Sequence, residues 1–303
     1  MRSALFSDTE LRNKSIDALK RRLRSRLAGY RLAFKDIKVG NLVYRGVFWH
    51  DRPNKIDQLS YPPADKAKLN RANRPSQPMF YCSVGAPAVF YELHAKQGDR
   101  IALSQWEVAE PLWMHNLGYH EAALAKLGAP EIAMRTGIYD LIPNETRKNA
   151  KLRRLLSLAF TEDIRTGREY RYKQSVAINE LLFDKAEPIP IKVGGPKSPR
   201  VAGTVYPTVQ MRGVADNMAI WPEFVTSLRI KSVRYVLVEE VDEANFAYTF
   251  LTLAYASAFS DRYIIWQDNL VPEHERRSRI ALEADEWVLR DGLNNIYDRH
   301  AAR

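Results

Sequence analysis

The amino-terminal part of the chain carries apolar residues in steps of three and four. These residues are Ile16, Leu19, Leu23, Leu27 and Tyr30. Basic residues fall largely on the opposite side of the helical wheel, so the pattern predicts an amphipathic helix within an N-terminal helical extension over residues 1–40. A solvated helix surface is the simpler interpretation of the basic face, and a surface that follows phosphate groups is the alternative.

Three segments after Gly40 have the length and residue types of β-strands, namely residues 41–49, 79–84 and 100–108. Residues 51–78 contain five prolines and few periodic apolar positions, which predicts a long loop between the first two strands. A short helix is expected to begin after Pro87.

Residues 111–185 have helical periodicity and propensity, with Asn144 placed to cap one of the helices. Strand patterns resume with residues 189–193 and continue to about residue 267, and a final helix is expected over roughly residues 273–297. Strands grouped on both sides of helices, without regular alternation, predict an α+β fold rather than a doubly wound sheet.

Composition narrows the class of protein. The chain has 303 residues, of which 46% are hydrophobic and 27% are charged, and it has no apolar run of about 18 residues that could cross a membrane. The first residues lack a secretory signal, so we expect a cytoplasmic protein without membrane partners. Cys82 is the single cysteine, which excludes an internal disulfide and favours a buried small residue over a nucleophile. The net charge of +10 favours anionic ligands or acidic partners.

Common catalytic motifs are missing from the sequence. A GxGxxG segment after a strand and a GxxxxGK[ST] segment are both absent, so a Rossmann or P-loop site is not expected. The six histidines form no HExxH pair, and a GxSxG segment is lacking, which argues against a zinc hydrolase and a serine hydrolase. We therefore expect chemistry that needs no metal and no bound cofactor.

Four residues from different predicted elements could converge in one cleft. Arg45 lies in a strand, Arg71 in the loop, Tyr81 in the next strand and Glu92 in the short helix. Such groups can bind a phosphate, stack on a ring or stabilise a cation. Taken singly, each has a simpler interpretation, since a glutamate on a short helix usually faces solvent and a strand arginine usually forms a surface ion pair.

Three segments that include these residues resemble, in order, the three blocks of the RES domain, a bacterial toxin family named for its arginine, glutamate and serine. The segments are VYRGVFW, RANRPSQPMFYCSVGAPAVFYE and GTVYPTVQMRGVADNMAIW. The matched positions are Tyr44 and Arg45 in the first block, Arg71, Asn73, Pro75, Tyr81 and Glu92 in the second, and Tyr206, Pro207, Thr208 and Asn217 in the third. The resemblance covers residues 41–110 and 186–266.

Two features of the chain depart from the family pattern. Thr208 stands where the family has its serine, which keeps a hydroxyl and adds a methyl group. Residues 111–185 make the chain longer than a usual member. RES domains resemble ADP-ribosyltransferases in fold, so the resemblance implies an α+β fold with a mixed or antiparallel β core of that kind. This core would span residues 41–110 and 186–270, with a helical insertion over 111–185 and a C-terminal helix within 271–303.

The resemblance implies that the chain attacks the bond between nicotinamide and ribose in NAD⁺, which is a substrate and not a cofactor. Glu92 would stabilise the positive charge that grows on the ribose, and Arg45 and Arg71 would hold the pyrophosphate or an incoming anion. These three are the expected catalytic residues. Substrate contacts are expected from Tyr81, Thr208 and Asn217.

The acceptor of the ADP-ribosyl group stays open. Inorganic phosphate would make the chain an NAD⁺ phosphorylase and water a glycohydrolase, and we favour these two because paired arginines suit a small anion. A protein or nucleic-acid acceptor would make it an ADP-ribosyltransferase. A non-catalytic basic binding protein is the alternative from another class.

The family also implies a partner. A toxin that drains NAD⁺ is normally held by an antitoxin, and a basic surface suits an acidic regulator of that kind. Alternatively, the helical insertion would serve activation or homo-oligomerisation, for instance in defence against phage.

Overall fold

The computed structural model describes residues 4–28, 30, 34–129, 146–183, 201–267, 271, 273–283, 286–294 and 296–301. The described strands are β1 Phe34–Ile37, β2 Leu42–Phe48, β3 Phe80–Ser83, β4 Arg100–Val108, β5 Leu112–Asn116, β6 Val201–Pro207, β7 Asp216–Ile220, β8 Leu228–Asp242, β9 Ala247–Ser260, β10 Tyr263–Gln267, β11 Arg277–Glu283, β12 Glu286–Arg290 and β13 Ile296–Ala301. The described helices are α1 Asp8–Asn13, α2 Ile16–Leu27, α3 Ala86–Glu92, α4 Glu121–Leu127, α5 Arg147–Phe160, α6 Tyr172–Leu182 and α7 Glu273–Arg276.

The described strands form one sheet in the order β1-β5-β6-β7-β3-β2-β4-β8-β9-β11-β12-β13, and β10 pairs with β9. Only β5 and β6 run parallel, and the other pairs are antiparallel. The predicted α+β class with a mixed, mostly antiparallel sheet is therefore confirmed. No helix in the described part of the chain is long and apolar enough to cross a membrane.

The sheet divides between β2 and β3. These strands pair at one position, Tyr44 with Ser83, whereas β2 pairs with β4 along its full length. Beyond Tyr44 the backbone groups of β2 and β3 no longer meet, so a gap opens in the middle of the sheet. Arg45 and Tyr81 lie on the two sides of this gap.

A helical layer formed by α2, α5 and α6 covers the sheet beside this gap. The predicted amphipathic helix is confirmed, since Leu19, Leu23 and Leu27 on α2 are fully buried. They share a core with residues of α5 and α6 and with Tyr206 and Ala219 of the sheet. The expected insertion is therefore packed into the same core as the sheet.

The loop between β2 and β3 is tied to the helical layer by charged groups. Arg74 pairs with Glu180 on α6 at 2.5 Å and with Asp17 on α2 at 2.9 Å. Asn179 Nδ2 on α6 donates to the Ala72 carbonyl at 2.8 Å. These contacts fix residues 72–74 against the helices.

Three expectations about secondary structure are corrected. Residues 34–37, expected within the N-terminal helical extension over 1–40, form β1, because β5 offers an antiparallel partner. Residues 112–116, expected within a helical insertion, form β5, because β1 and β6 offer pairing partners on both sides. The prediction of a helix over roughly 273–297 is also wrong, because the helix is limited to α7 and strands β11, β12 and β13 follow it. The free edge of β9 accepts β11, and Ser278 and Ile280 alternate into the core, so pairing outweighs local helix propensity.

Other expected positions agree with the structure or lie outside the described residues. Strands β2, β3 and β4 and helix α3 lie where the pattern predicts them. The strand expected at 189–193 and the cap at Asn144 fall outside the described residues. Thr146 is the N-cap of α5, with its Oγ1 accepting from the Asn149 N–H at 3.3 Å.

Gly46 lets α3 pack closely on β2. A Cβ atom at this position would lie 2.4 Å from Val89 Cγ1 and 2.8 Å from Leu93 Cδ1, which is too close for carbon atoms. The glycine of the VYRG segment therefore sets how near α3 approaches the strand. Glu92, the last residue of α3, is held over the gap as a result.

Candidate functional site

A cleft of about 860 Å³ lies where β2 and β3 separate. Its walls come from both strands, from the loop between them, from the end of α3 and from the start of α6. Five of the six predicted site residues line it, and these are Arg45, Arg71, Tyr81, Glu92 and Asn217. The sixth, Thr208, is not among the described residues that line the cleft.

Glu92 contributes a carboxylate without a complete set of partners. Its Oε1 atom is buried and accepts no hydrogen bond from any described residue. Burial raises the pKa of Glu92 above its usual 4.5, while Asn217, Arg71 and His94 act in the opposite direction. The cleft therefore holds a carboxylate oxygen that a bound ligand could satisfy.

Asn217 offers a complementary donor. Its Oδ1 accepts from Ser83 Oγ at 2.5 Å, which fixes the orientation of the amide. Its Nδ2 is buried and lies near the Glu92 carboxylate, where it lowers the pKa of that group, but it completes no hydrogen bond with a described residue. Buried polar atoms with incomplete hydrogen bonds are rare and costly, so the neighbouring acceptor on Glu92 and donor on Asn217 mark one position where a ligand atom would complete these bonds.

Arg71 is held by the helical layer and by two aromatic rings. Only 7% of the residue is exposed, and its Nη1 donates to the Phe160 carbonyl and, at 3.2 Å, to the Glu162 carbonyl. The guanidinium carbon lies 5.5 Å from the ring centre of Tyr172 and 5.8 Å from that of Tyr206. These contacts orient a permanent positive charge at the cleft.

Arg45 bridges the two strands at the gap. Its Nη1 donates to the Tyr81 carbonyl at 2.7 Å, and its Nε is shared between the Leu59 and Ser60 carbonyls at 3.1 Å each. Burial lowers the pKa of Arg45 to about 10, which still leaves the guanidinium charged at neutral pH. Arg45 thus uses two of its nitrogen atoms to hold β3 and the loop against β2. It also lines the cleft.

Tyr81 builds the turn that carries Arg71. Its hydroxyl accepts from the Ala72 N–H at 2.9 Å and donates to Asn73 Oδ1 at 2.7 Å. Asn73 Nδ2 in turn donates to the Lys68 carbonyl at 2.9 Å. Burial raises the pKa of Tyr81, so the hydroxyl keeps its proton. The expected contact with substrate is thus limited to the ring, because the hydroxyl is committed to the turn.

We expect Tyr81→Phe to lower the free energy of unfolding by about 1–3 kcal/mol, because it leaves the Ala72 N–H and Asn73 Oδ1 without their partner. Urea denaturation followed by circular dichroism measures the change. The matched control is Tyr263→Phe, since that residue is 55% exposed and its hydroxyl makes no hydrogen bond to a described residue. Equal urea midpoints for the two variants would contradict the role given to Tyr81.

Thr208 supports the cleft from behind. It is fully buried, its Oγ1 accepts from the Ala215 N–H at 3.3 Å, and its own N–H donates to the Ala215 carbonyl at 2.8 Å. These bonds close a loop that carries Gln210, which lines the cleft. Thr208 therefore helps to shape this loop, and its expected contact with substrate stays a prediction.

Two aromatic residues of the site, Tyr206 and Tyr172, are not predicted from the sequence to take part in it. Tyr206 belongs to the third sequence block, so its position next to Pro207 was a usable signal. Tyr172 lies on α6, outside all three blocks, and nothing in the local sequence distinguishes it from a core tyrosine. Tyr172 lies beside Arg71 because the helical layer folds back onto the gap, whereas Tyr206 approaches Arg71 from strand β6.

The remaining groups around the cleft are mostly basic or neutral. Lys66 and Lys68 are exposed residues of its wall. Cys82 is buried as expected, and burial raises its pKa to about 12, so its thiol is protonated at neutral pH. Among the described residues, no group of three or more His, Cys, Asp or Glu side chains could hold a metal ion.

Comparison with known proteins adds no relative. No family model, curated protein or solved structure matches the chain. Its function is therefore inferred from the cleft and from the sequence blocks that build it.

Proposed function

We propose that this chain is an NAD⁺-consuming enzyme that cleaves the bond between nicotinamide and ribose, with phosphate or water as the acceptor. The observation that carries the proposal is the unpaired Oε1 of Glu92 in a cleft that also holds the guanidinium of Arg71. The resemblance to the RES domain supports it, because residues from all three blocks meet in this cleft. Its volume also falls within the usual range of ligand sites.

Glu92 would act on the charge that develops during bond cleavage. The nicotinamide of NAD⁺ carries a positive charge and leaves as a neutral molecule, so no general acid is needed to expel it. Positive charge then grows on the ribose, as in glycoside hydrolysis. A carboxylate fixed beside that ribose stabilises the transition state and can hydrogen-bond a ribose hydroxyl.

Arg71 and the neighbouring basic residues would bind the anionic parts of the substrates. A guanidinium fork suits phosphate oxygens, and the two rings beside Arg71 keep it oriented. Lys66 and Lys68 add positive charge to the same wall. Asn217 Nδ2 would donate to a polar atom of the substrate, since it lacks a partner among the described residues.

Control of such an enzyme follows from its chemistry. Uncontrolled loss of NAD⁺ would harm the producing cell, so the proposal implies an antitoxin or another regulator and a location in the cytoplasm with its substrate. The net charge of +10 favours an acidic partner.

The pH dependence of the reaction is expected to follow the ionisation of the Glu92 carboxyl group. The proposed role needs the ionised carboxylate, and burial raises its pKa above 4.5. We therefore expect kcat/KM for NAD⁺ to fall as the pH decreases, with a midpoint above 4.5. Circular dichroism over the same range separates this effect from acid unfolding. A rate that stays constant down to pH 4.5 in the folded protein would contradict the role.

The direct test is incubation of the purified chain with NAD⁺, with and without inorganic phosphate, followed by mass spectrometry of the products. ADP-ribose-1-phosphate is expected for a phosphorylase and free ADP-ribose for a glycohydrolase. Label on an added protein or nucleic acid would instead indicate a transferase. Intact NAD⁺ in the presence of folded, inhibitor-free protein would refute the enzymatic proposal.

A further inference from the structure

A second cavity, of about 220 Å³, lies against a different face of α3. The main cleft contacts α3 at Val89 and Glu92, whereas this cavity contacts it at Ala86 and Phe90. Its floor is the face of β2, β4, β8 and β9, and the hairpin of β11 and β12 contributes Ile280 and Leu289 to its walls. The strands that replace the expected C-terminal helix therefore help to enclose it.

Arg234 brings a positive charge to this cavity, and no described residue of its lining carries a carboxylate. Its Nη1 is buried and donates to no described residue, and its guanidinium carbon lies 5.5 Å from the ring centre of Tyr255. None of the described residues that line the cavity is an aspartate or a glutamate. By contrast, the exposed Arg229 on the same strand pairs with Glu107. A buried guanidinium nitrogen without a partner is costly, so an anionic ligand would satisfy an existing need.

Neutral polar side chains stand next to Arg234 on the floor. Ser232 Oγ donates to Gln105 Oε1 at 3.3 Å, and Gln105 Nε2 donates to the Tyr44 hydroxyl at 3.0 Å. This chain orients the amide and hydroxyl groups that line the cavity. Leu103 adds apolar surface on the same floor, and Ile280 and Leu289 of the hairpin add apolar surface to the walls. One charged group, a few oriented polar groups and apolar walls are the usual composition of a small-molecule site.

We propose that this cavity binds a small organic anion. A carboxylate or phosphate group of the ligand pairs with Arg234, and an apolar body contacts Leu103, Ile280 and Leu289. This site shares only Tyr44 with the described lining of the cleft proposed for NAD⁺, and its proposed ligand does not depend on that function.

Isothermal titration calorimetry of the full chain tests the proposal with three probes of similar shape. Benzoate carries a carboxylate, phenyl phosphate carries a phosphate, and benzamide is the neutral counterpart of benzoate. We expect at least one of the two anions to bind saturably, and benzamide to bind at least about tenfold more weakly than that anion. Which anion binds identifies the oxyanion that the site prefers.

Variants locate the binding. Arg234→Gln should weaken the anion at least about tenfold, whereas Arg229→Gln removes the same charge from the same strand outside the cavity and should leave the affinity unchanged. Ser232→Leu fills the cavity while keeping Arg234, and it should also abolish binding. If Arg234→Gln fails to fold, the result for Ser232→Leu takes its place. The proposal is refuted if neither anion binds the wild type, if benzamide binds equally well, or if the folded cavity variants keep wild-type affinity.

Discussion

Glu92→Gln should reduce kcat for NAD⁺ cleavage by about 10²–10³-fold while leaving the protein folded and more resistant to heat. The substitution keeps the size of the side chain and removes its charge. The expected loss of activity follows from the proposed role of Glu92, which is to stabilise the positive charge on the ribose. The gain in stability has a separate cause in the pKa of the carboxyl group.

Burial raises the pKa of Glu92, so the folded protein disfavours its ionised form relative to the unfolded chain. The charge therefore lowers the free energy of unfolding at neutral pH, and this cost disappears as the pH falls below the usual 4.5. A neutral amide avoids the cost at every pH. The melting temperature of Glu92→Gln should accordingly exceed that of the wild type at pH 7, and the difference should shrink on acidification.

Product analysis and thermal melts of the same preparations measure both effects. Glu107→Gln is the matched control, because Glu107 is not among the described residues that line the cleft. A hydrogen bond from Arg229 lowers its pKa, which is the opposite of the shift at Glu92. That variant should keep wild-type turnover and gain no thermal stability. Wild-type turnover in Glu92→Gln would refute its catalytic role, and a lower melting temperature would refute the argument from burial.

The local part of this site could be read from the sequence. Residues 41–108 alternate strand, proline-rich loop, strand and helix patterns, and each pattern depends on near neighbours in the chain. The structure places β2, β3 and α3 accordingly, and five of the six predicted site residues line one cleft. Their chemical roles stay predictions.

Other features depend on contacts between distant segments, which local patterns do not record. Tyr172 reaches Arg71 only because α6 folds back over the loop. The gap between β2 and β3 arises because the two strands pair at one position only, and no particular residue type in the sequence marks it. Likewise, β11 becomes a strand because β9 has a free edge beside it. The place of Thr208 in its sequence block predicts a substrate contact, but it does not reveal that Thr208 is buried and accepts a hydrogen bond from the Ala215 N–H.

Arg71 depends both on its local sequence and on contacts with distant segments of the chain. It comes from the predicted loop, but the carbonyls of Phe160 and Glu162 and the rings of two tyrosines hold it in place. A lysine at this position would keep the positive charge. It could not stack as a plane on the rings and present a fork to phosphate oxygens. The substitution therefore separates charge from geometry.

We expect Arg71→Lys to lower kcat/KM for NAD⁺ by about 10–100-fold, mainly through KM, since hydrogen bonds to charged groups contribute about 1.5–3 kcal/mol. Steady-state kinetics measures this change. Arg74→Lys is the matched control, because Arg74 lies three positions along the same loop and pairs with Glu180 and Asp17 outside the cleft. The control should lower the melting temperature without changing KM. A wild-type KM in Arg71→Lys would show that charge alone is sufficient and that the oriented guanidinium has no part in binding NAD⁺.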